Sequence, residues 1–158
     1  MSKTEETLRC EREIWRATRK ISVFGCFEVT IGWLGSERVD YMTYDTKGIW
    51  RCYEIKTSVE DFRSMAKLTF VGHFNYFVMP QALFDKVKDE IPSHIGVYVG
   101  RWCIKRPKKQ VLRVDEQILK NSLIRSLYRE AAKFAKLEND LQISREAGKK
   151  DSKTGVIA

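Results

Sequence analysis

Three side chains suited to metal-dependent chemistry, Asp40, Glu54 and Lys56, flank a predicted β-hairpin. The hairpin turn, residues 45–48, ends in a glycine that suits a left-handed backbone conformation. Counting back from this turn, the alternation of side chains along a strand places Asp40 opposite Glu54. Side chains in opposite positions have Cβ atoms roughly 4.5 to 5.5 Å apart, and two carboxylates there repel unless something neutral or positive lies between them. The pattern therefore predicts a cation site at one end of the hairpin.

The rest of the same hairpin face is apolar or aromatic, with Tyr44 predicted opposite Trp50 and Met42 opposite Cys52. This favours a buried face that becomes charged only at one end over a solvated face carrying an ordinary Glu54–Lys56 ion pair. Both interpretations stay open, because a slip of one residue in register would separate the two acids. Oxygen ligands with some retained water are preferred by Mg²⁺ or Mn²⁺, and Lys56 would add a mobile positive charge beside such an ion.

Two further acids are candidates for a third carboxylate at this site. Glu11 falls within the apolar arc of a predicted first helix, where a buried acid needs a partner; it could equally pair with the neighbouring arginines at the helix edge, Arg9, Arg12 or Arg16. Glu28 lies on a predicted strand, on the side opposite Phe27 and Val29, and competes with Glu11 for the role.

Asp40 followed by Glu54-Ile55-Lys56 resembles the signature of the PD-(D/E)XK nuclease superfamily. The longer runs CYEIKTSVEDFRSMAK and HFNYFVMP are similar to those of its small MmcB-type members, DNA repair nucleases of bacterial and phage genomes, over residues 8 to 100. Val39 stands where the superfamily signature has proline. The resemblance implies a restriction-endonuclease-like fold and Mg²⁺-dependent hydrolysis of DNA. It also implies metal ligation by Asp40, Glu54 and the Ile55 carbonyl, a catalytic Lys56, and an extra carboxylate from the first helix, for which Glu11 is the candidate.

The net charge of +8 and pI near 9.4 favour a polyanionic partner, because neutralising phosphates releases counterions. The alternative is a charge excess spread over a solvated surface. The basic residues predicted to contact phosphate are Lys67, Lys105, Arg106, Lys108 and Lys109.

The four cysteines are widely spaced without a CxxC pair, which argues against a structural zinc site and predicts buried free thiols in a reducing cytoplasm. There is no signal-peptide pattern and no apolar run approaching 18 residues, so neither export nor a membrane span is expected.

Hydrophobic periodicity predicts an α/β domain with a mixed sheet in αβββαβ order, flanked by helices and extended by a long C-terminal helix. Helices are expected at residues 4–20, from Ser58, at 81–91 and at 115–141, and strands at 21–31, within the hairpin 38–56, at 74–79, 95–99 and 102–104. Residues 1–143 are predicted to form one nuclease-like domain and residues 144–158 a disordered tail. The apolar stripe of the last helix is expected to pack either on the domain or on a second copy, which would make a homodimer.

Three functions compete at this stage. The first is a divalent-metal-dependent nuclease hydrolysing DNA, in DNA repair or phage DNA metabolism. The second is a catalytically silent nuclease-fold protein that binds nucleic acid without cutting it, and the third is a structural or interaction protein. The intact Asp40, Glu54 and Lys56 favour the enzyme, because a module that only binds gains nothing from carboxylates that repel phosphate.

Overall fold

The computed structural model describes residues 2–35, 37–64 and 68–154. The helices are α1 (Glu5–Thr18), α2 (Val59–Ser64), α3 (Gln81–Val87), a 3₁₀ turn (Lys88–Glu90) and α4 (Glu116–Thr154). The strands are β1 (Val23–Thr30), β2 (Arg38–Asp45), β3 (Trp50–Ile55), β4 (Phe74–Val78), β5 (Gly96–Val99) and β6 (Trp102–Lys105). The predicted α/β class and the αβββαβ order of elements along the chain are confirmed, including the strand near Trp102.

The six strands form one mixed sheet in the order β1-β2-β3-β4-β5-β6. β3, β4 and β5 are parallel, and the other three neighbouring pairs are antiparallel. Parallel neighbours need a crossover connection, and α2 and α3 with the 3₁₀ turn provide the two that this order requires. The carboxyl ends of β3, β4 and β5 therefore lie at one end of the sheet.

The predicted hairpin register is confirmed: Tyr44 pairs with Trp50 and Met42 with Cys52. At the turn, Gly48 has a φ of 79° and donates its N–H to the Asp45 carbonyl at 2.9 Å. The Asp45 carboxylate also accepts the N–H groups of Lys47 and Ile49, which fixes the turn.

Helices cover both faces of the sheet. α1 packs Cys10 and Ile14 against a tyrosine-rich face. On the other face, α4 buries Leu119 and Leu123. The residues that meet α1 are Tyr41, Tyr53, Ile55, Tyr76 and Val78, and those in the cluster with α4 include Val29, Val39, Met42, Trp50 and Cys52.

One predicted face assignment on β1 is wrong. Phe27 and Val29 were expected on the same side, but Phe27 packs with the α1 cluster and Val29 is buried with Cys26 in the α4 cluster. The cause is Glu28, which has a φ of 55° and interrupts the regular alternation between the two residues. The neighbouring ladder pairs, Phe27 with Tyr41 and Val29 with Val39, are nevertheless kept.

α4 also binds the outer edge of β1 through two arginines. Arg129 donates to the carbonyls of Phe27 and Glu28, each at 3.1 Å. Arg125 donates to the Thr30 carbonyl at 2.6 Å. These contacts join the helix to the backbone of an edge strand, including the irregular residue Glu28.

The last helix is longer than predicted. It continues to Thr154 instead of ending near Leu141, so a disordered tail beginning at residue 144 is not what the structure describes. The part of the helix that packs on the sheet is shorter than predicted. Leu119 and Leu123 are buried, whereas Phe134 and Leu141 of the same apolar stripe are exposed. Only the first turns of α4 reach the sheet, and the described residues 130–152 are all exposed. None of the described helices is both long and apolar enough to cross a membrane.

Cys10, Cys26 and Cys52 are buried free thiols, as predicted. Cys103 is exposed, contrary to the prediction. It lies on β6, an edge strand whose residues from Trp102 to Ile104 are all exposed.

Candidate active site

The predicted site lies where β2 and β3 separate. Their ladder ends at the pair Tyr41–Tyr53, one position before Asp40 and Glu54. Beyond this pair, the Asp40 carboxylate accepts the Ile55 N–H at 2.8 Å, so a side chain takes a donor that a neighbouring strand would otherwise bind. The predicted pairing of Asp40 opposite Glu54 is accordingly absent from the described ladder, although a hydrogen bond joins the two side chains. This separation opens the sheet at its carboxyl end.

A cleft of about 570 Å³ opens at this point. Asp40, Glu54 and Lys56 line it together with Ile55. Both candidate third acids, Glu11 from α1 and Glu28 from β1, line it as well. The remaining lining residues are Lys3, Thr7, Thr30, Gly35, Arg38 and Asp61.

Glu54 is a buried acid that lies beside a second acid, Asp40. Glu54 is only 3% exposed, and its Oε1 accepts the Thr69 N–H at 3.3 Å. Burial, the charge of Asp40 and a hydrogen bond with Asp40 together raise the pKa of Glu54 to about 9, although Thr69 and Lys56 oppose the change. In the absence of a bound cation, Glu54 therefore keeps its proton at neutral pH.

Lys56 is held by Asp61 in the first turn of α2. Its Nζ donates to the Asp61 carbonyl at 3.2 Å and to Oδ1 at 3.4 Å. Asp61 is itself placed by the start of the helix, because its N–H donates to the Ser58 hydroxyl at 3.1 Å. Ser58 therefore caps the helix, and the same turn also positions the lysine.

Glu11 and Glu28 share one partner, Lys3. Its Nζ contacts the Oε1 of Glu11 and the Oε1 of Glu28, the latter at 3.2 Å. Partial burial opposes ionisation, but the hydrogen bond and charge of Lys3 lower the pKa of Glu28. Glu11 thus pairs with a residue before the helix, and not with Arg9, Arg12 or Arg16. Sequence reasoning missed Lys3, because no periodic pattern links a residue preceding a helix to an acid on a distant strand.

The donor set suits a small divalent cation with water in its coordination shell. Among the described residues, no group of three or more His, Cys, Asp or Glu side chains lies close enough together to hold a metal by itself. Asp40, Glu54 and the Ile55 carbonyl form a smaller all-oxygen set, and Mg²⁺ commonly uses one or two protein carboxylates and keeps several waters. Glu54, buried and protonated beside Asp40, supports a cation site here, because a cation bound between the two carboxylates would replace the proton.

The predicted phosphate-binding run is not next to the cleft. Lys105 is used structurally: its Nζ donates to the carbonyls of Pro92 and Ile91 at 2.7 and 3.4 Å. The following segment bonds to His94 and His73, near the amino ends of β5 and β4, which is the opposite end of the sheet from the cleft. Arg106, Lys108 and Lys109 are exposed there, and Lys67 lies outside the described residues.

A solved structure of a protein of unknown function from Silicibacter pomeroyi has a similar fold. The TM-score is 0.66 at 18% identity, and the match covers 89% of this chain and 96% of that chain. No family model matches this chain. No curated protein matches it. The likeness therefore establishes a shared fold and carries no information on activity.

Proposed function

We propose that this chain is a divalent-metal-dependent nuclease that hydrolyses DNA phosphodiester bonds on a restriction-endonuclease-like fold. The observation that carries the proposal is the meeting of Asp40, Glu54 and Lys56 in one cleft where β2 and β3 part. The resemblance of these residues to the PD-(D/E)XK signature supports the reaction class, and DNA repair or phage DNA metabolism is the setting it implies.

In this mechanism, Asp40, Glu54 and the Ile55 carbonyl would hold one or two Mg²⁺ or Mn²⁺ ions. A bound ion would lower the pKa of a coordinated water and offset the charge that develops on the phosphate. As an ammonium, Lys56 would orient the attacking water and stabilise the same charge; as a free amine, it would instead accept the proton of that water. Asp61 keeps the Lys56 ammonium at the cleft. Glu11 or Glu28 supplies a further carboxylate once Lys3 moves away from it.

The alternative is a nucleic-acid-binding protein that has lost catalysis. Burying Glu54 against Asp40 weighs against it, since a binding surface for phosphate gains nothing from two adjoining acids and bears the cost of their repulsion. A purely structural role is disfavoured on the same ground, because apolar residues would fill this position without the cost of burying a polar acid.

The deciding experiment is cleavage of a mixed DNA pool with Mg²⁺, with Mn²⁺ and with EDTA. Wild type should cleave only with metal, and Asp40→Asn and Glu54→Gln should be inactive. Glu60→Gln is the matched control, because Glu60 is an exposed acid on α2 that does not line the cleft. Binding without cleavage would favour the silent module, and neither binding nor cleavage would favour an interaction protein. Cleavage that survives in Glu54→Gln would refute the assignment of the site.

We also propose that a second copy of the chain pairs with the outer half of α4. Leu127, Phe134 and Leu141 recur at seven-residue intervals and are exposed. A seven-residue apolar repeat is typical of helices that pair in a coiled coil. A homodimer would cover this stripe without using the cleft.

A further inference from the structure

The loop between β1 and β2 exposes two large apolar side chains beside the cleft. Trp33 is 78% exposed and Leu34 is 101% exposed. The residues on either side of this pair, Thr30, Gly35 and Arg38, line the cleft. Trp33 and Leu34 therefore lie at its rim, where a substrate bound to the acids would pass.

Backbone contacts of the described loop residues, 31–35 and 37, project this pair. Gly32 has a φ of 75°, which favours glycine, and its N–H donates to the Ser122 hydroxyl of α4 at 3.0 Å. At Gly35, a Cβ atom would lie 1.9 Å from the Ile31 carbonyl oxygen, so no other residue fits without a backbone shift. The Ile31 N–H donates to the Glu37 carbonyl at 3.0 Å and closes the loop.

A cation accompanies the tryptophan. The Arg125 guanidinium lies 4.9 Å from the centre of the Trp33 ring and is anchored to the Thr30 carbonyl. Because Trp33 is still largely exposed, the rest of its ring is open to solvent. Arg38 adds a second exposed positive charge between the loop and the acids.

We propose that Trp33 and Leu34 form a wedge that binds unpaired bases of single-stranded DNA, and that the cleft acts on the adjoining backbone. Aromatic side chains next to arginine are a common means of stacking bases without reading sequence. Charge complementarity favours a nucleic acid over a protein partner, since an open ring beside Arg125, with Arg38 in the adjoining cleft, matches a base attached to phosphates. The location of cutting rests on the proposed nuclease function, whereas base binding by the loop does not.

The test is fluorescence anisotropy in EDTA, where cleavage is absent. The probes are labelled oligo(dT), its duplex with oligo(dA), an abasic oligomer of the same length and oligo(U). Trp33→Ala with Leu34→Ala should weaken binding of oligo(dT) about 10-fold or more and leave abasic binding unchanged, because stacking is lost and phosphate contacts are kept. The dependence of affinity on salt should stay the same. Trp102→Ala is the matched control: Trp102 is 77% exposed, on the opposite edge strand, and its loss should have no effect.

Equal binding of oligo(dT) by the double variant and wild type would overturn the proposal. So would equal binding of oligo(dT) and the abasic oligomer by wild type, tighter binding of the duplex, tighter binding of oligo(U), or no binding of any probe. If wild type binds oligo(dT) through the wedge but never cleaves with Mg²⁺ or Mn²⁺, the wedge stands and the nuclease proposal fails. Thermal melting of each variant checks that the fold is intact.

Discussion

The buried acid Glu54 makes a quantitative prediction about stability in metal-free buffer. In the unfolded chain its pKa is near the ordinary 4.5, whereas in the fold it is about 9. Between these two values the folded protein holds a proton that the unfolded chain releases. The stability associated with this proton is fully present below about pH 4.5 and is lost as the pH rises towards 9.

The substitution Glu54→Gln isolates this effect. Glutamine keeps an oxygen acceptor for the Thr69 N–H and an amide donor towards Asp40, so it imitates the protonated acid without titrating. One pKa unit corresponds to roughly 1.4 kcal/mol, so raising the pH from 5 to 8 should cost wild type up to about 4 kcal/mol more than the variant. Other titrating groups are common to both proteins and cancel in the difference.

Urea denaturation in EDTA at pH 5 and pH 8 measures this difference. The free energy of unfolding of Glu54→Gln should exceed that of wild type at pH 8 and lie close to it at pH 5. Adding Mg²⁺ or Mn²⁺ at pH 8 should stabilise wild type and leave the variant unchanged, because a cation replaces the proton only where there is a carboxylate. Parallel pH dependences in EDTA would refute the reasoning, since Glu54 would then be ionised in the fold.

Further outcomes follow for the other parts of the molecule. Lys56→Ala should still bind metal by calorimetry but lose roughly 10²-fold or more in single-turnover cleavage rate, and an unchanged rate would remove Lys56 from the site. Asp40→Asn should abolish cleavage while binding DNA in EDTA as tightly as wild type or more tightly, because a carboxylate facing phosphate is removed; weaker binding would contradict this. We expect alanine at Arg106, Lys108 and Lys109 to weaken binding of long DNA equally for all sequences and to lower the salt dependence of binding. Lys105 is retained for its structural bonds, and binding of short oligonucleotides should be unaffected. Unchanged binding of long DNA would place this run outside the DNA-binding surface. Truncation after Ala132 should keep the melting temperature and yield a monomer by light scattering, and a dimer would contradict the role assigned to the outer half of α4. Truncation after Val114 removes Leu119 and Leu123 from the core and should cause aggregation. A soluble, cooperatively folding product cut at Val114 would contradict the packing role of α4.

The hairpin and its acids were predictable from the sequence because their placement depends on local rules. Gly48 sets the turn, and the turn sets the register as far as the Tyr41–Tyr53 pair, one position before Asp40 and Glu54. The irregularity at Glu28 was not predictable in the same way, since a left-handed backbone at a residue other than glycine has no local signal. Alternation read through that position therefore assigned Val29 to the wrong face.

Long-range placement accounts for the remaining differences. That Lys3 joins Glu11 and Glu28 depends on how α1 lies across the sheet, and no spacing in the chain encodes this. The separation of the basic run from the cleft depends on strand direction, because the run bonds near the starting ends of β4 and β5 whereas the acids lie at the finishing end of β3. Periodicity of α4 likewise shows an apolar stripe but not how many of its turns reach the sheet.

The arginine contacts between α4 and β1 also determine how this protein can and cannot associate. An edge strand with free carbonyls accepts an incoming strand from another chain, and this is a common route to aggregation and to β-augmentation. Here the carbonyls of Phe27, Glu28 and Thr30 already accept hydrogen bonds from Arg129 and Arg125. While the helix stays docked, these three carbonyls are not open to an incoming strand. Local detachment of α4 would free those carbonyls and also release the backbone of Glu28, a residue that lines the cleft. The same helix contacts therefore protect the edge strand from aggregation and keep the cleft ordered.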